Sequence, residues 1–262
     1  MNSISKAERQ YVRDGSAAGV REDGRRTDEF RCFEVERNVI PHVNGSSHVK
    51  IQDCVEVICS VKLDIAEPDS ASPGSGRMSF NVEMSPSCSL TEDKKLVDMS
   101  SNVANHLQQI YMGCHAVDLE DLCIIEGKYC WAMHIDVVIL RCDGHPLDAC
   151  SIAAYEALQC TILPKVLLKF GDSGIPETFE VKGDLSESSS LEADTVPLCL
   201  SVAKIGNKFL CDLTYCELLS VDCLYIIAMD NVGNFCGSVK ADGGALSPSE
   251  IIDVLNAVKG FL

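Results

Sequence analysis

The sequence predicts an α+β protein made of two similar halves, each a run of strands followed by a helix. Three observations carry this. Strand-like runs over Val55 to Leu63 and Met78 to Met84 give way to apolar residues at helical spacing in Leu96, Met99, Val103, Leu107 and Ile110. The same order returns after residue 197, where further strand-like runs end in a capped helix at Ser247. Between them the composition shifts, and residues 171–197 are acidic and serine-rich. Strands then helices, twice over, define a layered α+β architecture.

Taken in order, residues 1–20 are a lead segment, helical from Lys6 to Val12. The first half is expected over 21–170. Arg31 to Ile40 reads as a strand, and Asn44-Gly45 as the tight turn of a hairpin. His48 to Ile51 and Val55 to Leu63 continue the meander, and residues 67–78, with two prolines and two glycines, form a loop. Thr91 is placed to cap the next helix, with Glu92 and Asp93 at its positive end and Gly113 as its stop. Leu122 to Ile125 and Tyr129 to Leu140 pair across Glu126-Gly127. Pro146 opens a helix of small residues that runs to about Cys160.

Residues 171–197 are expected to be a partly mobile loop with room for a short strand, joining the two halves, with Ser186, Ser188, Ser189 and Ser190 around Glu187. The second half is expected over 198–262. Leu198 to Ala203, Lys208 to Leu213, Val221 to Met229 and Phe235 to Val239 read as strands, turned at Gly206-Asn207 and Gly233-Asn234. Ser247-Pro248-Ser249-Glu250 is a capping box with proline at the first helical position. Ile251, Leu255 and Val258 lie on one face of the helix that follows.

Composition narrows the function. A chain of 262 residues, 46% hydrophobic and 23% charged, can bury a substantial core. No apolar run is long enough to span a bilayer, and the polar start lacks a signal core. The expectation is therefore no membrane partner, with the protein in the cytoplasm and nucleus. The 15 cysteines are odd in number and contain no Cys-x-x-Cys pair, so a disulfide framework or zinc ribbon is not expected. Cys59, Cys130, Cys199, Cys211 and Cys223 sit among apolar neighbours and read as small buried hydrophobes. A net charge of −17 repels nucleic acid at long range. If the chain works on RNA, basic partners must supply the attraction.

Two segments carry a family resemblance. Arg21-Glu22-Asp23-Gly24-Arg25-Arg26 leads into Gly45-Ser46-Ser47-His48-Val49-Lys50-Ile51, and Asp143-Gly144-His145-Pro146-Leu147-Asp148 opens the small-residue helix. In this order they resemble the RNase PH family of phosphate-dependent exoribonucleases, over about Gly19 to Leu262. Within it the chain looks most like the non-catalytic ring subunits of the RNA exosome, the branch of the archaeal partner of the catalytic subunit. The resemblance implies an RNase PH-like fold of two βαβα-type halves with mixed or antiparallel sheets and packed helices. It also implies assembly with other RNase PH-like ring subunits under cap subunits. RNA would thread through the assembled ring to a separate nuclease, in the nucleus (including the nucleolus) and the cytoplasm. No cofactor and no metal are implied.

The resemblance also locates the chemistry that active members need. Arginines hold phosphate against the RNA backbone, and carboxylates position a metal or proton acceptor. Leu147 stands where the phosphate arginine is expected, Pro146 removes a backbone donor, and Asp148 adds negative charge. Ser85-Pro86-Ser87-Cys88 has no base where a second arginine falls, leaving Ser87 in its place. Asn105 and Gln108 match basic positions on the helix, and His106 between them reads as a surface residue. Asp212 matches the first acid and Leu218 replaces the second, with Glu217 and Asp222 nearby. Ser87, Leu147, Asp212 and Leu218 thus describe a degenerate site, in which Asp212 serves as a capping or hydrogen-bonding residue.

Other features read as bland. Arg21, Asp23, Gly24 and Arg25 are structural or interfacial, and His145 is a solvated loop residue. Gly74-Ser75-Gly76-Arg77 lacks the rest of a phosphate loop and reads as mobile surface. Trp131 belongs to the core. Lys50, Lys62, Arg77 and Lys94 are candidate RNA contacts. Two rival readings stand beside the scaffold: an active phosphate-dependent 3′-5′ exoribonuclease, and an RNase PH-fold interaction module unrelated to RNA.

Overall fold

Val49, Val57, Cys59, Val61, Met133, Ile135, Val137 and Ile139 are almost wholly buried, and they alternate along three neighbouring strands. That period of two puts one sheet face inward. The computed structural model describes residues 4–27, 29–88, 93–170, 176–182, 188–193 and 195–258. The first sheet holds β1 (Phe33–Arg37), β2 (Gly45–Ile51), β3 (Val55–Ala66), β4 (Arg77–Met84), β5 (Cys123–Ile125) and β6 (Tyr129–Arg141). Its order is β1-β2-β3-β6-β4, with β5 on β6. Every pairing is antiparallel except β4 with β6, whose connection includes the helix α2 (Asp93–Gly113).

Helix α3 (Leu147–Gln159) packs against β2 and β3 on the buried face. Ala149, Ala153, Ala154 and Ala157 are fully buried, so small side chains let helix and sheet approach closely. The second sheet runs β12 (Lys208–Cys211), β11 (Leu198–Ile205), β13 (Cys223–Met229), β14 (Phe235–Gly243), all antiparallel. α3 also touches β11, and α2 touches β14. The main core therefore continues from the first sheet into Cys199, Ile226 and Ala228 of the second. α1 (Lys6–Ala18) begins with a capping box between Ser5 and Glu8 and leans on the single turn α4 (Tyr215–Leu218). α5 (Pro248–Val258) starts at the Ser247–Glu250 box.

Several expectations are corrected. Asn44-Gly45 is not the hairpin turn: Gly45 already lies in β2, and Asn44 bonds the Ile162 carbonyl and the Leu63 amide. Gly45 is needed for close approach, since a Cβ there would lie 2.3 Å from Thr161 Oγ1. Gly113 is the last residue of α2, and His115, at φ 50°, takes the left-handed conformation beyond it. The Thr91–Glu92 cap lies outside the described residues. The connection after α3 carries more structure than its composition suggests: β7 (Ile162–Leu163) pairs with β10 (Ser189–Ser190), and β8 (Val166–Phe170) with β9 (Pro176–Val181). Gly76 is buried and bonded to the Leu119 carbonyl rather than part of a mobile loop. On α5 the inward residues are Val254 and Val258, while Ile251 is exposed.

Candidate functional site

Asp212, expected from the resemblance to match the first acid, is the first residue after β12. It adopts a left-handed φ of 48°, an uncommon conformation for a residue other than glycine, and is 3% exposed. Arg31 meets its carboxylate three times, through the backbone N (2.8 Å), Nε (2.8 Å) and Nη2 (2.5 Å). Arg25 Nη1 adds a fourth bond at 2.7 Å. Burial alone lowers the affinity of the Arg31 guanidinium for its proton. The bonds and charge of Asp212 override this and raise it, so Arg31 keeps its charge.

The family signature closes around the same residue. Arg21 forks onto Glu217, with Nε to Oε1 at 2.8 Å and Nη2 to Oε2 at 2.7 Å. It also donates to the carbonyls of Cys211 and Asp212. Glu217 in turn caps α4, accepting from the Thr214 amide at 2.9 Å. Asp23 holds Arg25 Nε at 2.7 Å. Three guanidiniums, Arg21, Arg25 and Arg31, thus face three carboxylates, Asp23, Asp212 and Glu217. Their fork donors are committed inside the chain, which leaves little positive field for a phosphate.

The second turn of the site lies directly against the first. Gly144 has φ 107°, and a Cβ on it would stand 1.8 Å from the Leu213 carbonyl oxygen. The Tyr215 amide donates to Asp143 Oδ1 at 3.3 Å. Leu147, where a phosphate arginine is expected, is wholly buried in the core. Asp148 does not face the turn. Its carboxylate points inward and accepts from the backbone N and Oγ of Ser201 at 2.6 and 2.8 Å. Burial pushes its pKa up to about 8, against the lowering effect of Ser201.

His145 is not a solvated residue. It is partly buried, and its Nδ1 is enclosed without a hydrogen-bond partner. Burial first, and then the neighbouring His106, push its pKa down to about 4. His106 is likewise partly buried rather than a surface residue, with an unpartnered Nδ1 and a pKa lowered by burial. Both imidazoles are therefore held neutral near pH 7, which removes them as anion-binding cations.

The remaining candidates are dispersed. Ser87 is exposed and bonded to Ser85, and Leu218, the last residue of α4, packs against the buried cluster of Ile205, Leu210, Leu213 and Leu224. Gln108 is turned to the outer edge of β4, where it accepts from the Phe80 amide at 2.8 Å and donates to the Met78 carbonyl at 3.0 Å. Lys50 and Lys62 are exposed beside carboxylates, Lys62 Nζ at 2.8 Å from Asp64 and Lys50 Nζ at 3.9 Å from Glu56. Arg77 is exposed at the start of β4, and the Lys94 side chain lies outside the described residues. Among the described residues no group of three or more His, Cys, Asp or Glu side chains is placed to hold a metal. No helix described is long and apolar enough to cross a membrane.

Arg31 and the Asp148–Ser201 pair are the parts that sequence reasoning missed. Arg31 lies 181 positions from Asp212, and no local spacing announces a contact at that range. Glu217 had a readable signal, because Thr214-x-x-Glu217 is a capping-box pattern.

Fold and site together define an RNase PH-type protein, and the comparisons agree. Residues 29–164 match the model of the 3′ exoribonuclease family, domain 1, and residues 195–258 match its domain 2. The chain belongs to the 3′ exoribonuclease family. It is 31% identical to the exosome complex component Rrp42 of Methanocella arvoryzae, covering 98% of this chain and 93% of that protein. It is also 31% identical to the Rrp42 component of Thermococcus kodakarensis, over 97% and 91%. Among solved structures it superposes on a chain of the Archaeoglobus fulgidus exosome with RNA bound to the active site. The TM-score is 0.80 at 29% identity, over 97% of this chain and 94% of that one.

Proposed function

We propose that this chain is a non-catalytic ring subunit of the RNA exosome. It assembles with paralogous RNase PH-like subunits and cap subunits, and supports 3′-to-5′ RNA processing and turnover, rRNA maturation included, by a separate nuclease. One observation carries the non-catalytic part of the reading. The single surviving acid, Asp212, is locked by Arg31 and Arg25, while Leu147 occupies the core where a phosphate arginine is needed. A carboxylate whose oxygens are taken up by two guanidiniums is not free to hold a metal or a substrate, and a buried leucine offers no charge to phosphate. The assembly part rests on the likeness to Rrp42 components along nearly the whole chain.

The net charge of −17 gives the assembly a direction. Basic neighbours complement this chain, speed its docking and supply the attraction for RNA. The free thiols suit reducing compartments, the cytoplasm and the nucleus with its nucleolus. The test is phosphorolysis by the purified chain on single-stranded RNA with inorganic phosphate and magnesium. No nucleoside diphosphate is expected. Phosphate-dependent release that tracks the protein through purification overturns the non-catalytic reading.

A further inference from the structure

The end of α2 meets β14 through two cysteines that lie 122 positions apart in the chain. Cys114 follows the last residue of α2, its amide still bonded to the Ile110 carbonyl at 2.9 Å. Its Sγ reaches across to the backbone of β14, 3.4 Å from the Cys236 carbonyl oxygen. A Cβ built on the next residue, Gly237, would lie 3.6 Å from the same sulfur. Both side chains pack against the main core at this seam, and the Cys236 Sγ stands 3.6 Å from the carbonyl oxygen of Asn234, just before its own strand. Both are partly exposed. Small co-reactants can reach them, unlike the buried thiols of Cys59, Cys150 and Cys199.

We propose that Cys114 and Cys236 form a redox clasp, a dithiol that closes to an intramolecular disulfide and ties α2 of the first sheet layer to β14 of the second sheet. The oxidant is a low-molecular-weight disulfide of the glutathione class. The Cys236 thiolate attacks one sulfur of that disulfide, its S–S bond breaks, and one glutathione leaves as thiolate. The Cys114 thiolate then attacks the Cys236 sulfur of the mixed disulfide and expels the second glutathione. The two protein thiols are oxidised and the small disulfide is reduced. The two protons of the protein thiols end on the two released glutathiones. Burial raises both thiols above their ordinary range, so closure is slow near neutral pH and quickens as pH rises.

The consequence is mechanical. The clasp spans the place where the two sheets share one core, and it closes a loop of 122 positions. Cross-linking so long a loop removes much of the unfolded chain's freedom.

The test uses the full chain, treated with oxidised glutathione at mildly alkaline pH and quenched with an alkylating reagent. Peptide mapping with fragmentation then locates the bond. A Cys114–Cys236 cross-link is expected, with a melting temperature raised by on the order of 5 °C and restored by reductant. Cys236→Ser is expected to leave Cys114 alkylatable and to remove the oxidant-dependent shift. If that variant does not fold, the wild-type peptide map decides alone. Glutathione retained on either sulfur without a cross-link, or cross-links confined to other cysteines, overturns the clasp.

Discussion

Arg21 and Glu217, 196 positions apart, form a two-pronged ion pair whose side chains are 0% and 4% exposed. It fastens the segment before the first sheet onto the single turn α4 of the second half. Removing one member of such a pair leaves the other charged and buried. Arg21→Ala should lower stability by about 3–5 kcal/mol, read from the urea unfolding midpoint. Arg21→Lys should recover only part of this, since an ammonium cannot match both carboxylate oxygens and both carbonyls. Equal stability of wild type and Arg21→Ala would show that the Arg21–Glu217 pair does not hold the two segments together.

Gly144→Ala should be among the most damaging small substitutions. Its Cβ would stand 1.8 Å from a main-chain oxygen, and the φ of 107° is strained for any L-residue. A loss of at least about 3 kcal/mol is expected in thermal unfolding. Gly233→Ala is the matched control, with φ 86° and nothing within 4 Å of the new carbon. It should cost only about 1–2 kcal/mol, the strain alone.

Asp148 and His145 pull the pH dependence in opposite directions. Asp148 holds its proton to about pH 8 in the folded chain but loses it near its ordinary value when unfolded. Between those limits the native state binds the extra proton, so stability falls as pH rises. His145 has the opposite sign: its folded pKa of about 4 lies below the unfolded value, so stability rises from pH 4 to about 6.5. Unfolding curves for wild type should therefore decline between pH 6.5 and 8, with a slope approaching ~1.4 kcal/mol per pH unit. Asp148→Asn should abolish that decline while its amide oxygen still accepts from the Ser201 backbone N and its NH2 donates to the Ser201 Oγ.

Gln108 acts as a substitute for a missing strand neighbour. Its amide pairs with the Phe80 amide and the Met78 carbonyl on the open side of β4. Gln108→Leu leaves both main-chain groups unpaired and should cost about 1–3 kcal/mol. Hydrogen exchange should quicken at the Phe80 amide first, because the edge opens there. Unchanged exchange at Phe80 would show that water satisfies the edge as well.

Much of this was legible in the sequence, for reasons that individual residues make plain. Ser247–Glu250 announced α5, since a capping box is a local pattern. Trp131 and the strand cysteines reported burial through apolar neighbours. The arginine signature and Asp212 were visible as motifs, but their mutual contact was not, because Arg31 and Asp212 meet only through the fold. Acidic, serine-rich composition left room for a short strand but not for its pairing with β8, which the Tyr129–Phe179 ring contact at 5.1 Å anchors from outside. His145 misled for a similar reason: its turn looks solvent-facing until the Leu213–Thr214 segment packs against it.

The central claim is that this chain is a scaffold within a ring of its relatives. The direct measurement is native mass spectrometry of the intact assembly purified through a tag on this chain from its own cells. The account predicts a single copy of the chain within a closed ring of paralogous RNase PH-type subunits, with cap subunits attached. A homo-oligomer of this chain, or the chain alone with unrelated partners, would contradict it.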